Sequence, residues 1–288
     1  GSDSGLYVIN PGATPEPAPT LGNEILGAGD KSGAITDVHA VFSATLGAQE
    51  WLFVAVATGV SEYALYATNA AVPASAADFT LVPGSESATP YVKVVSDGTA
   101  NLLYLAARQA HLDTDGPIAG STAAIADADT TRPAGAEFTS ALYDAGNSVL
   151  WLADDSGFLY SSGDFGATPP WTRNTDSHKI DPDANNPVAL AFTALAAVPD
   201  GAGTTTILAA TEGDGYRIVG DAATVTAASA ITDPETINES NYQASDLSSA
   251  VILDFYVDPN AVTGGYLLFG GTSNERSEER RVGKECAT

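Results

Sequence analysis

Short apolar segments recur along the chain, separated by turn-forming stretches rich in Gly, Pro, Asp, Asn and Ser. The strongest segments begin at Trp51, Leu102, Val149, Thr206 and Tyr266, so they return at intervals of about fifty to sixty residues. Apolar runs of this length, rich in Val, Leu, Tyr and Phe, predict β-strands. No apolar pattern with the 3.6-residue period of a helix persists, so we expect little helix.

Each interval is predicted to begin with two strands joined by a turn, often followed by a third strand and a weaker fourth. In the third interval these are residues 137–143, 149–153, 157–160 and 171–173. Four antiparallel strands in chain order form the blade of a β-propeller, and a blade buries both faces only when its neighbours stack on it. We therefore predict an all-β chain with a β-propeller domain over residues 1–275, in which about five blades are visible.

The ends of the chain do not complete their blades. Four intervals are full and two are partial. We expect a ring of six or seven blades in the intact protein, incomplete here at both ends. The alternative is that the two partial blades combine into one, which gives a ring of five.

A short polar motif lies between the third and fourth predicted strands of the third interval. Ser162, Asp164 and Gly166 have the spacing S-x-D-x-G, and Trp171 follows five residues after the glycine. The motif resembles the Asp-box (BNR) repeat of sialidase-like β-propellers, in which the aromatic residue follows the glycine by three residues. Residues 167–170 would therefore contain a two-residue insertion. The resemblance implies a structural role: Asp164 and Gly166 stabilise the turn, and Trp171 packs in the blade.

The charge of the chain limits its partners. It has 36 acidic and 11 basic residues and a formal net charge of −25. Such a surface repels phosphate backbones and anionic lipids, which disfavours nucleic-acid and membrane-surface partners. No apolar run reaches the length of a transmembrane segment. The acidity and the scarcity of lysine are typical of secreted proteins or of proteins from salty habitats, so we predict an extracellular or cell-surface bacterial protein.

The C-terminal segment differs from the rest of the chain. Residues 276–286 read RSEERRVGKEC, which looks like the translation of a DNA-sequencing adapter. We predict that residues 276–288 are a non-native or disordered tail and that the chain is a metagenomic fragment; a solvated native tail is the alternative. The tail contains Cys286, the only cysteine, so disulfides and thiol catalysis are not expected elsewhere.

Catalytic patterns are weak. The resemblance to sialidases would require three arginines that grip a substrate carboxylate, but outside the tail only Arg108, Arg132, Arg173 and Arg217 occur, and the early arginine motif of that family is missing. Asp154-Asp155 directly follows a strong strand and could form a carboxylate pair at an inner rim. We expect these two residues to be solvated turn residues.

One segment has the start of a calcium loop. Asp181, Asp183 and Asn185 have the spacing D-x-D-x-N, although Asn186 and Phe192 replace the expected Gly and Glu of such a loop. Residues 113–116 are a weaker calcium candidate, and the three histidines lack the spacing of zinc ligands. We therefore expect no cofactor, with calcium at residues 181–185 as the alternative.

These features favour binding over catalysis. We predict a β-propeller binding or scaffold module whose loops hold a protein or glycan partner. The alternative is a secreted glycan-acting hydrolase, sialidase-like, with its active site in an axial cleft. A structural component of a surface layer or adhesin would have a similar composition. The aromatic side chains Trp51, Tyr104 and Trp151 are expected to pack in the core rather than to stack on sugars.

Overall fold

The computed structural model describes residues 6–10, 20–118, 123–125, 132–167, 171–174, 191–199, 205–212, 216–221, 252–257 and 268–272. Almost all of its regular structure is β-strand. Within these ranges the helices are limited to α1 (Asp30–Gly33) and one 3₁₀ turn (Ala76–Asp78). None of the helices there is long and apolar enough to cross a membrane. The chain divides into two compact units, Gly1–Ile125 and Ala126–Thr288.

The N-terminal unit contains three antiparallel sheets. Its strands, in chain order, are β1 (Leu6–Asn10), β2 (Thr20–Leu26), β3 (Asp37–Leu46), β4 (Gln49–Gly59), β5 (Glu62–Thr68), β6 (Thr80–Leu81), β7 (Tyr91–Ser96), β8 (Leu102–Ala106), β9 (Ala110–Asp113) and β10 (Ala123–Ile125). The sheets are the pair β1–β2, the four strands β3–β6 and the four strands β7–β10. Within each sheet the described strands pair in chain order, without a crossover among them.

The C-terminal unit repeats this pattern. Its strands are β11 (Phe138–Asp144), β12 (Val149–Asp154), β13 (Leu159–Ser162), β14 (Thr172–Asn174), β15 (Phe192–Pro199), β16 (Thr205–Thr211), β17 (Tyr216–Asp221), β18 (Ile252–Val257) and β19 (Leu268–Thr272). They form sheets of four strands (β11–β14), three strands (β15–β17) and two strands (β18–β19), all antiparallel.

Successive sheets of the N-terminal unit stack face to face. Alternate residues of a strand point to opposite faces of its sheet. On β4, Val54 and Val56 pack against Ile25 of β2, whereas Phe53 packs against the sheet β7–β10. Its ring lies 5.7 Å from that of Tyr104, centroid to centroid. The sheet β3–β6 is therefore buried on both faces, as a propeller blade requires.

The sheets of the C-terminal unit stack in the same way. Trp151 of β12 packs in one cluster with Phe192 of β15 and Ile207 of β16, and Phe255 of β18 packs on the other face of the sheet β15–β17. In both units the first strand of a sheet lies beside the first strand of the next sheet: β3 beside β7, β11 beside β15, and β15 beside β18. The predicted fold class, an all-β chain of four-stranded antiparallel propeller blades, is confirmed. The blade number of the intact ring stays a prediction.

A β-bulge marks the first strand of five sheets. The register between the first and second strands shifts by one residue next to His39, Val92, Thr139, Thr193 and Leu253. In each case the extra residue lies near the start of the strand. A bulge strengthens the local twist and bends the strand, so its recurrence shows that the sheets are copies of one unit even where their side chains differ.

Some sequence expectations need correction or lie outside the described residues. The sequence pattern did not predict the short strand β9 (Ala110–Asp113). Tyr104 and Trp151 are buried core residues, as predicted. The boundary at residue 275 stays a prediction, because residues 276–288 lie outside the described residues.

Candidate functional site

The most distinctive polar groups of the described residues are acidic side chains buried at strand ends. Asp113, Asp144 and Asp154 are no more than 2% exposed. A buried carboxylate is costly unless hydrogen bonds replace its lost hydration. The partners of these side chains therefore decide whether they stabilise the fold or are available for chemistry.

Asp154 ends β12 and is completely buried. Its Oδ1 accepts hydrogen bonds from the backbone amides of Ser156 (3.0 Å) and Phe158 (2.9 Å), and its Oδ2 accepts one from the Tyr160 hydroxyl (2.6 Å). Gly157 completes the turn with φ +80°. Burial raises the pKa of Asp154 despite these hydrogen bonds, and burial followed by the bond to Asp154 raises the pKa of the Tyr160 phenol. Our expectation that Asp154 is a solvated turn residue was wrong.

Asp155 differs from its neighbour because it is exposed, as expected. Its Oδ1 accepts a hydrogen bond from the Glu137 amide at 2.9 Å, and the Asp155 amide donates to the Glu137 carbonyl at 2.9 Å. These bonds join the end of β12 to the residue before β11. The two adjacent carboxylates therefore do not form a matched catalytic pair: one is buried within its own turn and the other faces solvent.

Asp113 is the last residue of β9 and accepts hydrogen bonds from the same kinds of group as Asp154. Its Oδ1 accepts hydrogen bonds from the amides of Asp115 and Gly116 at 3.0 Å, and its Oδ2 accepts one from the Tyr104 hydroxyl at 2.8 Å. Gly116 has φ +96°. Burial raises the pKa of Tyr104, and the charge of Asp113 adds to this shift. Residues 113–116 are the weaker calcium candidate, and the Asp113 carboxylate there already accepts hydrogen bonds from two amides of its own turn.

Two further aspartates organise the turns between first and second strands. Asp144 Oδ1 accepts from the amide of Gly146 at 3.0 Å, and its Oδ2 accepts from Asn147 Nδ2 at 2.8 Å. Asp97 Oδ1 accepts from the amides of Thr99, Ala100 and Asn101, and its Oδ2 accepts from Asn101 Nδ2 at 2.6 Å. Burial opposes the charge of Asp97, but these hydrogen bonds outweigh it and lower the pKa of its carboxyl.

The predicted Asp-box residues form the turn between β13 and β14. Ser162 Oγ accepts hydrogen bonds from the amides of Gly166 (2.7 Å) and Asp164 (3.4 Å) and donates to Asp164 Oδ1 (2.7 Å). Gly166 has φ +83°, and Trp171 is 3% exposed. The side chains thus stabilise a turn and fill the core next to it. Their membership of the Asp-box family stays a prediction.

Two of the arginines stack on aromatic rings. The Arg132 guanidinium lies 4.4 Å from the centre of the Phe138 ring, and that of Arg173 lies 4.5 Å from the centre of the Phe158 ring. Arg132 also donates to the Ala136 carbonyl. Stacking on an aromatic ring stabilises a guanidinium through the ring electrons. Each of these two arginines therefore has a packing role at its own ring.

The stronger metal candidate lies outside the described residues. Asp181, Asp183 and Asn185 fall in the segment 175–190, so the predicted calcium site stays a prediction. Among the residues that the structure describes, no group of three His, Cys, Asp or Glu side chains is arranged to hold a metal ion.

Sequence reasoning missed the tyrosine partners and a buried histidine. Tyr104 and Tyr160 lie on strands, and only the folded sheet brings their hydroxyls to Asp113 and Asp154. The available signal was the repeated D-x-x-G spacing in residues 113–116 and 154–157. His111 of β9 is 5% exposed, which its short strand did not indicate.

Comparison with known proteins adds little to this geometry. No protein-family model matches the chain, and no curated protein matches it. Among solved structures, a chain of YCF48 from Cyanidioschyzon merolae is similar, with 14% sequence identity and a TM-score of 0.37. The similarity covers 62% of this chain and 49% of the YCF48 chain, so it spans about half the length of that structure.

Proposed function

We propose that this protein is an extracellular or cell-surface β-propeller module that binds a protein or glycan partner and has no catalytic activity of its own. The observation that supports this proposal best is that the buried carboxylates are hydrogen bonded within the fold. The carboxylate oxygens of Asp113, Asp144 and Asp154 accept hydrogen bonds from turn amides and from a tyrosine hydroxyl or an asparagine side-chain amide. A general acid or base must instead be within hydrogen-bond reach of a substrate.

The two hydroxyls bound to these carboxylates are also inaccessible. Tyr104 and Tyr160 are completely buried, and burial raises the pKa of both phenols. A tyrosine nucleophile needs contact with its substrate and a base that activates it. Each hydroxyl has a carboxylate beside it, but both phenols are completely buried and out of reach of a substrate, which argues against a sialidase-type mechanism at these two residues.

The charge of the chain indicates the chemistry of the partner. A net charge of −25 favours cationic or neutral surfaces over polyanions through long-range electrostatics. We infer a partner with a basic or uncharged contact surface, such as a basic protein or a neutral glycan. The same acidity supports an extracellular location.

A glycan-acting hydrolase is the second candidate. The feature that favours it is the S-x-D-x-G turn, with Ser162 and Asp164 hydrogen bonded between the third and fourth strands of the sheet. In the family that this motif resembles, such turns occur in sialidases. The motif supports a related fold but supplies no catalytic residue.

One experiment separates the two candidates. The purified protein is incubated with a fluorogenic sialoside and with a panel of neutral fluorogenic glycosides, and its binding to glycan and basic-protein arrays is measured in parallel. The matched variants are Asp155→Asn and Glu137→Gln, which remove the carboxyl groups of two residues that are hydrogen bonded to each other through the Glu137 backbone, at the end of β12 and just before β11. We expect array binding that weakens with salt, and no turnover. Turnover that either variant abolishes would refute the binding proposal and support the hydrolase.

A further inference from the structure

We propose that His111 makes the N-terminal unit sensitive to mild acid, because protonation of this imidazole loosens the packing of the sheet β7–β10 on the sheet β3–β6. The inference concerns the fold of this unit and does not depend on the proposed binding function.

The position of His111 places it in the contact between the two sheets. It pairs directly with Tyr104 in the β8–β9 ladder. Side chains of directly opposed residues lie on the same face of an antiparallel sheet. Tyr104 belongs to the cluster that joins this face to Phe53 and Leu65 of the neighbouring sheet. His111 therefore points toward the same contact, and only 5% of it is exposed.

The surroundings of the imidazole favour its neutral form. Its Nε2 is buried and has no hydrogen-bond partner among the described residues. In the tautomer with the proton on Nδ1, this atom is an unfilled acceptor. Protonation would convert it into a buried N–H donor without an acceptor and would add a charge in an apolar site. Burial accordingly lowers the pKa of His111.

The nearby charged and titratable groups do not offset this cost. On its own strand, Asp113 is engaged by Tyr104 and two turn amides. On β7, the Tyr91 hydroxyl donates to the Ser85 carbonyl. Glu86, in the connection before β7, is exposed; its charge favours the protonated imidazole, but the effect of burial is larger.

The remaining elements packed around His111 carry few ionisable groups. Strand β10 consists of Ala123–Ile125, which has no titratable side chain. In the facing sheet β3–β6, the half-buried Tyr63 packs against the cluster, and its ring lies 5.4 Å from that of the exposed His39, centroid to centroid. No carboxylate in these elements is therefore positioned by a hydrogen bond to accept the imidazolium proton.

The direction of the pH effect follows from linkage. The unfolded chain binds the proton at about pH 6.5, whereas the folded chain resists it until a lower pH. The stability contributed by neutral His111 is therefore fully present above about pH 6.5 and is lost as pH falls from there toward the folded pKa. One proton changes the unfolding equilibrium constant by at most about tenfold per pH unit.

The test compares urea unfolding at pH 7.5 and pH 5.5 for the wild type, His111→Phe and His39→Phe. His39 is exposed, so its variant is the control for removing an imidazole. We expect the unfolding equilibrium constant of the wild type and of His39→Phe to rise about fivefold to tenfold more than that of His111→Phe over this interval. Equal pH dependence of all three proteins would overturn the proposal.

A second measurement covers the case in which His111→Phe does not fold. The chain has three histidines, so the imidazole signals of the wild type can be followed by NMR and assigned with variants at His39 and His178. We expect the His111 signal to titrate below pH 6.5 and the amide signals of β8 and β9 to broaden with it. A His111 signal that titrates at or above pH 6.5, or without change in these strands, would contradict the proposal.

Discussion

The sheets β7–β10 and β11–β14 each contain a buried aspartate that accepts hydrogen bonds from two backbone amides and one tyrosine hydroxyl. In the first, Asp113 begins the sequence DTDG, and in the second, Asp154 begins the sequence DDSG. Each aspartate accepts two backbone amides of the following turn through Oδ1 and one tyrosine hydroxyl through Oδ2. Each turn also has a glycine with positive φ at its fourth position, a conformation that costs glycine little.

The two sheets place this arrangement at opposite ends of their second strand. Asp113 lies opposite Leu102, the first residue of β8, whereas Asp154 is the last residue of β12. The order of the partners is also reversed, since the tyrosine precedes Asp113 in the chain but follows Asp154. The arrangement is therefore not a fixed feature of the repeat. A buried strand-end carboxylate without water needs several donors, and these two aspartates take a tyrosine hydroxyl as one of them, whereas Asp144 takes the side-chain amide of Asn147.

The largest expected effect comes from removing either tyrosine hydroxyl. Tyr160→Phe and Tyr104→Phe leave a buried carboxylate oxygen without its donor, and we expect each to lower the free energy of unfolding by about 2–3 kcal/mol. Urea unfolding followed by circular dichroism measures the loss. The two losses should agree within about 1 kcal/mol. A clearly smaller loss for one variant would show that the two sites are not equivalent.

The next largest loss of stability is expected in the Asp-box turn, where two glycines differ in the backbone strain that a side chain would cause. Gly166→Ala forces a side chain into φ +83°, and we expect a loss of about 1–2 kcal/mol in the free energy of unfolding. The control is Gly163→Ala in the same turn, where a Cβ meets no atom within 4 Å. Tryptophan fluorescence reports on this region through Trp151 and Trp171. Equal effects of the two variants would contradict the structural role of Gly166.

A pH-dependent difference tests the burial of Asp154. Because burial raises the pKa of Asp154 above its unfolded value, its contribution to stability is greatest below about pH 4 and declines as pH rises through the folded pKa. Asp154→Asn stays neutral at every pH, so we expect the wild type to lose stability relative to this variant as pH rises from 3.5 to 6. Unfolding free energies at four pH values measure the difference. A difference that grows in the opposite direction would refute the assignment.

The smallest effect is expected at Asp155. This side chain is exposed and its bond to the Glu137 amide is accessible to water, so Asp155→Asn should leave the urea midpoint within experimental error. Comparison with Asp154→Asn then separates the effect of removing a buried carboxylate from the effect of removing an exposed one. A midpoint shift as large as that of the Tyr160→Phe variant would show that the exposed carboxylate also stabilises the fold.

The fold was predictable because its signal repeats. Apolar segments that begin near Trp51, Leu102 and Val149 are each long enough to predict a strand, and their recurrence predicts stacked blades. The short strand β9 was missed because its four residues, AHLD, contain only two apolar side chains. The recurrent bulge was also missed, since a one-residue register shift leaves no fixed residue type at His39, Val92 or Thr139.

The candidate site was less predictable. The turn role of Ser162, Asp164 and Gly166 was expected from a local motif, and local motifs need only neighbouring residues. The buried state of Asp154 was predicted wrongly because a DD pair reads as a solvated turn. Its partner Tyr160 lies on the neighbouring strand β13, and this pairing is not visible in the residues 154–157.

By itself the sequence determined the spacing of the strands, the turn residues between them and the net charge of the surface, because each of these depends on residue type and near neighbours. The tertiary structure decided which polar side chains are buried and what they bind. The pairing of Asp113 with Tyr104, the pairing of Asp154 with Tyr160, and the burial of His111 Nε2 depend on which residues the folded sheets bring together. Burial is a property of the assembled sheets, so the chemistry of these groups emerges only when the strands pack together.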